Sequence, residues 1–405
     1  MEFKQHTLDN GLTIVGEVNN AALSAAVGFF TRTGSRDETP EISGVSHFLE
    51  HMLFKGTDNL QALEVNEAFD KLGANFNACT SEETTIYYAA VLPEYLLEVT
   101  DLWAQLMRPS LRDDDFNIEK NVIKQEIAMY KDMPQFDVMD QCMSLHYKGH
   151  PCGNSILGTN ESIDAMTADQ MRKYFYTRYA PNNMVLACCG NFDFDALCKL
   201  AQDKCGGWTP ADVGRELTDF AGTLQSQRQV NENLVREHIY MMSPSVSMQD
   251  DRKFAASLLG MIVGDGTGSR YFWELIDTAI AESAGMFCNS MDGTGSFCTY
   301  LRCDPEKTEQ VMRIVSNIFD QLNQNGVTNE ELTTAKNKVL SALTIRCEQP
   351  MGRLNSLGLN WVYNTEYRPV AQDIEDINKV TVEQVNALIK EYDMGKYTKF
   401  AIAPA

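Results

Sequence analysis

At 405 residues the chain is longer than one hydrophobic core ordinarily serves, so two domains are expected. Its 34 Lys and Arg stand against 56 Asp and Glu, a formal net charge of −22 that repels phosphate and argues against nucleic acid or an anionic membrane surface as partner. No apolar run reaches the 18 residues that a membrane-spanning helix needs, while 44% hydrophobic residues are ample for globular packing. Eleven cysteines with no C-x-x-C spacing, several of them in apolar runs such as Leu186-Ala187-Cys188-Cys189, read as buried free thiols of a reducing compartment. Met1 to His6 runs into a strand pattern with no apolar leader, so the expected address is cytoplasmic.

The first elements follow from turn and periodicity signals. Asp9-Asn10-Gly11 is a tight-turn signal ahead of Leu12 to Val15 and predicts a hairpin over 7–18. A strand over 23–33 ends at Gly34-Ser35, and a helix is expected from about Ser43 to Phe54. An amphipathic helix over 63–72 stops at Gly73, followed by paired strands at 75–79 and 84–91. Helices are predicted over 94–107, 113–131 and 138–147. The half closes with a helix at 167–176, a buried strand at 184–189 and a helix after Asn191. Strands and helices mixed in this way indicate an α+β fold rather than a doubly wound parallel sheet.

The segment 43–54 carries the most chemistry. His47-Phe48-Leu49-Glu50-His51 places two imidazoles four residues apart, so they stack on successive turns of one helix face, with Glu50 leaning toward the same place. Neutral imidazoles suit zinc, and two from one helix make half of a tetrahedral site. A nearby carboxylate that is not a ligand can act as base toward an attacking water. H-x-x-E-H is the inverse of the H-E-x-x-H arrangement. A second pair, His146 and His150, is interrupted by Gly149 and Pro151 and has no carboxylate between its members, so it reads as structural.

Between 206 and 235 the pattern loosens into Gly206-Gly207, Pro210 and a polar 225–229 run, the composition of a linker. Residues 161–171 resemble 375–385 at an offset of 214, and at the same offset Met184 to Ala187 falls on Thr398 to Ala401. Matches in register at mid-length indicate duplication. The expected organisation is therefore an N-terminal catalytic domain over 1–207, a linker over 208–234, and a related C-terminal domain over 235–405. Each domain is expected to be an antiparallel-type sheet covered by helices, and the second has no H-x-x-E-H.

A catalytic zinc site needs a third protein ligand. Spacing alone does not choose it among 56 acidic residues, although Glu119 and Glu126, seven apart, share one face of a predicted helix. A solvated helix with Glu–Lys pairs is the plain alternative.

Gly44 to Thr57 resembles the signature of the pitrilysin family, the inverzincin group that includes insulysin and the mitochondrial processing peptidases. Thr7 to Leu12, Gly34 to Glu38, Asn77 to Ser81 with Glu83, His150 to Gly153 and Ile156 to Thr159 resemble further family segments in the same order. The resemblance implies a zinc metalloendopeptidase of unfolded peptides holding one Zn2+ per chain, with His47, His51 and Glu126 as ligands. It implies Glu50 as base, Glu119 as a catalytic-site support behind a ligand, and an edge strand at Asn77 and Ala78 that binds substrate.

The second half departs from the pattern. Gly264 to Phe272 resembles the family's glycine-rich turn, but where many active relatives carry an Arg and then a Tyr, this chain has Ile276 and Ser283. The expected partners are thus a peptide substrate and a second chain, as a homodimer or as a heterodimer with a related subunit that supplies the Arg/Tyr pair. The competing expectation is a non-catalytic core or peptide-binding subunit of a related complex.

Overall fold

The computed structural model describes all 405 residues and contains eleven strands and fourteen α-helices. The first half runs β1 (Glu2–Thr7), β2 (Thr13–Val18), β3 (Ala25–Thr31), α1 (Val45–Leu53), α2 (Ala62–Lys71), β4 (Asn75–Thr80), β5 (Thr85–Val91), α3 (Leu96–Leu106), α4 (Asp113–Lys131) and α5 (Pro134–His146). It closes with α6 (Asn160–Ala165), α7 (Ala168–Arg178), β6 (Met184–Gly190) and α8 (Phe194–Cys205). The second half opens with β7 (Ser226–Val230), β8 (Glu237–Pro244), α9 (Lys253–Gly264), β9 (Ser283–Ser290) and β10 (Gly295–Cys303). There follow α10 (Thr308–Asn325), α11 (Asn329–Cys347), α12 (Pro350–Asn364), α13 (Val370–Lys379), α14 (Val382–Glu391) and β11 (Thr398–Ala403). The α+β class and the helix-covered sheets expected from the sequence are present.

Two sheets form, in the orders β1-β2-β6-β3-β5-β4 and β7-β11-β8-β10-β9. They are mixed rather than purely antiparallel: β2 runs parallel to β6, and β7 runs parallel to β11 at the same place in the second sheet. The repeat at offset 214 has a structural counterpart. Thr167 and Thr381 each cap a helix by accepting from the backbone N–H three residues on, Gln170 and Gln384, in matching capping boxes. The strands that follow, β6 and β11, occupy corresponding positions in their sheets.

The chain forms two compact units, each drawing on both halves of the sequence. One comprises Met1–Ala128, Asn154–Arg215 and Thr344–Arg368; the other comprises Met129–Gly153, Glu216–Leu343 and Pro369–Ala405. In the first, the α1, α3, α7 and α8 face of the sheet holds a core that includes Val27, Phe29, Phe48 and Trp103. Its opposite face packs Ala26, Phe30 and Ala187 against Leu354, Leu357 and Trp361 of α12. Both faces are covered, so β3 is buried along its whole length and reads as a continuous apolar run. In the second unit α5 plays the same part, placing Val138 and Cys142 against Tyr240, Met242 and Phe400. Within the stretch expected as linker, 208–234, β7 adds an edge strand whose five residues are all exposed.

All eleven cysteines are free thiols. No helix is long and apolar enough to cross a membrane.

The approach of α12 to its sheet is fixed by a buried ion pair. Arg353 Nη2 lies 2.7 Å from Glu17 Oε2, which also accepts from the Tyr367 hydroxyl at 2.8 Å. Removing one member of a buried pair strands the other charge, so Arg353→Ala is expected to cost about 3–5 kcal/mol. Arg236→Ala, at an exposed pair with Glu282, is expected to leave stability close to that of the wild type. Urea unfolding of the two variants beside the wild type measures the difference.

Candidate metal centre

The site grows from α1. Gly44 precedes this helix at φ +91°, and a Cβ there would come within 2.6 Å of the Leu157 carbonyl oxygen, so only glycine fits. The first N–H groups of the helix have no partner within it. Glu38 supplies one: its carboxylate accepts from Gly44 N at 2.6 Å and from Ser46 N at 2.7 Å. Burial pushes the Glu38 pKa up to about 8, and these N–H groups pull against that rise. Val45, Phe48, Leu49, Met52 and Leu53 bury the apolar face, which leaves His47, Glu50 and His51 on the remaining one.

The second contributor is α4. Its buried stripe of Phe116, Glu119, Ile123 and Ile127 is read at helical spacing, and Phe116 stacks on Phe48 of α1 with centroids 4.8 Å apart and planes at 7°. That contact brings α4 alongside α1. Ligand atoms of His47, His51 and Glu126 then lie within 4.8 Å of one another. His51 Nε2 is 3.3 Å from Glu126 Oε2, and His47 Nε2 is 3.7 Å from Glu126 Oε1. Tetrahedral ligands held about 2.0–2.1 Å from a zinc ion are separated by about 3.3 Å, so the observed donor spacing suits such an ion.

The remaining atoms agree with that fit. The Nδ1 of His51 is held at 2.8 Å by Glu119 Oε1, which fixes the ring and turns Nε2 toward Glu126. The other Glu119 oxygen lies 2.5 Å from Lys55 Nζ. Burial drives the His47 pKa down to about 4, keeping that imidazole neutral as a ligand must be. Burial would lower His51 too, but its hydrogen bonds to Glu119 and Glu126 outweigh this and lift it to about 9, so a cation bound there has to displace a proton from this ring. Its bond to His51 holds the Glu126 carboxyl below the usual range. Two imidazoles and a carboxylate, with a second carboxylate braced by a lysine behind them, form a donor set that a divalent cation completes.

Glu50 stands beside the cluster without belonging to it. Its Oε2 accepts from Thr80 Oγ1 at 2.5 Å; burial raises its pKa while that hydrogen bond lowers it. Asn77 and Ala78 lie on β4, the strand at the sheet edge, and Asn77 Oδ1 accepts from the Ala78 N–H at 2.9 Å. The structure thus brings His47, His51, Glu126, Glu119 and Glu50 together within one unit. Ile276 closes a π-helical turn over 272–276, and Ser283 opens β9. His146 bonds to Thr398 and His150 to Thr218, and neither histidine belongs to the donor cluster. Glu38, Lys55 and Thr80 were not singled out from sequence, although each falls in a segment that carries the family resemblance.

Comparison with known proteins agrees over most of the length. Residues 13–160 match the family described as insulinase (peptidase family M16), and residues 165–339 match the peptidase M16 inactive domain. The donors lie in the first match, not in the one whose description says inactive. The "uncharacterized zinc protease YmxG" of Bacillus subtilis is 30% identical over 99% of this chain and 98% of its own length. The Mycobacterium tuberculosis "uncharacterized zinc protease Rv2782c" is also 30% identical, over 99% of this chain and 93% of its own. A protease structure from Helicobacter pylori superposes with a TM-score of 0.92 at 20% identity and full coverage of both chains, a likeness of fold.

Two outcomes follow from this geometry. Glu119→Gln keeps the shape but gives up the charge behind His51, and is expected to weaken divalent-metal affinity about 10- to 100-fold in competition with a chelating dye. Glu38→Ala uncovers two helix N–H groups and is expected to cost about 1–2 kcal/mol in denaturant unfolding.

Proposed function

We propose, from its place in the insulinase (M16) peptidase family to which this chain belongs, that the protein is a zinc-dependent endopeptidase of unfolded peptides. The observation that carries this reading is the convergence of His47, His51 and Glu126, with a further carboxylate, Glu50, beside the cluster and outside it.

His47, His51 and Glu126 hold one zinc ion per chain, and Glu119 with Lys55 keeps the His51 ring in place. Zinc bound there supplies a Lewis acid that lowers the pKa of an attacking water from ~15.7 toward ~7 and polarises the scissile carbonyl. Glu50 takes the proton of that water on its carboxylate and returns it to the leaving amine. The outer edge of β4 receives the substrate as an added strand through main-chain hydrogen bonds. To pair there, the Ala78 N–H exchanges the Asn77 side-chain oxygen for a substrate carbonyl. Recognition through the backbone reads few side chains and suits a broad range of sequences.

With Ile276 and Ser283 at the places expected for an Arg/Tyr pair, the full site draws on a second chain, either another copy or a related subunit. The reading is tested by zinc content and cleavage of an unstructured peptide, for the wild type and for Glu50→Gln. The variant is expected to keep its zinc and lose about 10²- to 10⁴-fold in turnover. Equal cleavage by both proteins would remove Glu50 from the mechanism.

A further inference from the structure

We infer that Thr80 is a positioning residue that fixes the Glu50 carboxylate for proton transfer and ties its placement to the strand that receives substrate. The inference rests on the peptidase reading above and deepens it.

Thr80 Oγ1 donates to Glu50 Oε2 at 2.5 Å, within the short range of charge-assisted O–H···O⁻ bonds. A glutamate side chain left free on a helix samples several rotamers, and fixing one costs side-chain entropy. A strong hydroxyl donor on a rigid neighbour, with the Thr80 backbone N–H beside it, offsets that cost and selects one orientation. Oε2 is then committed to Thr80, and Oε1 is the oxygen left to exchange the proton.

The donor is itself held firmly. Threonine is β-branched and restricted at χ1. Thr80 pairs with Thr85 to close the β4–β5 hairpin, whose turn is locked by Ser81 N to Thr84 O at 2.8 Å and Ser81 Oγ to Thr84 O at 3.1 Å. Glu83 in that turn is buried and bound to Arg36 Nη1 at 2.6 Å and to the Tyr363 hydroxyl at 2.9 Å. Thr80 therefore reaches Glu50 from a fixed platform. It also ends the same edge strand on which Asn77 and Ala78 lie, so a peptide paired along β4 bears on the backbone that carries the hydroxyl.

The test compares wild type, Thr80→Val and Thr80→Ser, each checked for zinc stoichiometry and assayed for kcat and KM on an unstructured peptide. Crystal structures of wild type and Thr80→Val give the Glu50 rotamer independently of activity. Valine keeps the shape and removes the donor; serine keeps the donor. The valine variant is expected to retain full zinc and a KM within about 2-fold while kcat falls about 10- to 100-fold, with its Glu50 carboxylate turned from the wild-type position. Serine is expected to restore kcat to within about 3-fold. Unchanged kcat with an unmoved Glu50, loss of zinc, or a raised KM at unchanged kcat would each overturn the positioning role. A wild type that cleaves nothing, alone or with a related subunit added, while Glu50 turns in the valine variant would leave the positioning standing and sink the peptidase reading.

Discussion

The donor cluster depends on two helices lying side by side, so that one turn of α1 faces one turn of α4. Nothing in the cluster itself would hold them there. Glu119 and Glu126 bring negative charge against a partly buried wall, and concentrating like charges in such a place is unfavourable. The apolar side of the same helices carries the work. Phe48 stacked on Phe116 is worth about 0.5–1.5 kcal/mol beyond its burial, and the remaining core residues of α1 add the ordinary hydrophobic term. Lys55 relieves part of the negative charge and His51 relieves more, through contacts at 2.5 and 2.8 Å to the two oxygens of Glu119. The cluster is thus a set of donors assembled by hydrophobic packing and balanced only in part by the chain's own charges.

A second constraint acts on the hairpin opposite α1. The side chains of Arg36, Asp37, Arg178 and Arg215 are almost wholly shielded from solvent, and with Glu83 they form a network of contacts at 2.6 Å around the 81–84 turn. Networks of this kind are weak evidence for stability, since desolvation consumes most of the Coulomb gain. Their geometry is nonetheless directional. Arg215 grips Asp37 and the Glu83 carbonyl together, and the Tyr363 hydroxyl reaches Glu83 from α12. The turn is held from several directions, and the two residues that lead into it, Cys79 and Thr80, inherit that rigidity.

The parts of this structure legible in the sequence were those written in local periodicity. The helix carrying His47 and His51 shows its apolar stripe and its polar face in nine residues. The repeat at offset 214 was legible because capping chemistry is local, with Thr167 and Thr381 each needing only a partner three residues on. What acts across the chain was not. Spacing could not separate Glu126 from Glu119, because both lie on one face of α4 and both reach His51, from opposite sides of its ring; the family resemblance made that choice. Glu38 caps α1 from outside the local i to i+3 pattern, and Thr80 meets Glu50 across 30 residues. Amphipathic periodicity identified a helix near 138–147 but not the sheet it covers. The polar run 225–229 looked like linker because the edge strand over 226–230, with every residue exposed, carries no alternation to read.

The duplication also gives a physical reason why one copy holds the donors and the other does not. In the first unit α1 lies against the edge strand β4, and Glu50 on its polar side reaches Thr80 of that strand. In the second unit α9 lies against the edge strand β9 in the corresponding place, but it is apolar almost throughout. Its backbone approaches the strand at two glycines four residues apart. A Cβ at Gly260 would sit 3.1 Å from Phe287 Cα, and one at Gly264 would sit 2.2 Å from Met286 N. Four residues is also the spacing of His47 and His51. Where the first helix meets its strand through the Glu50–Thr80 side-chain contact, the second meets its strand through glycines. A histidine at either glycine would have nowhere to go without moving the helix. The second copy therefore lacks the chemistry through its packing as well as its sequence, and restoring an H-x-x-E-H motif there would first require prising α9 from β9.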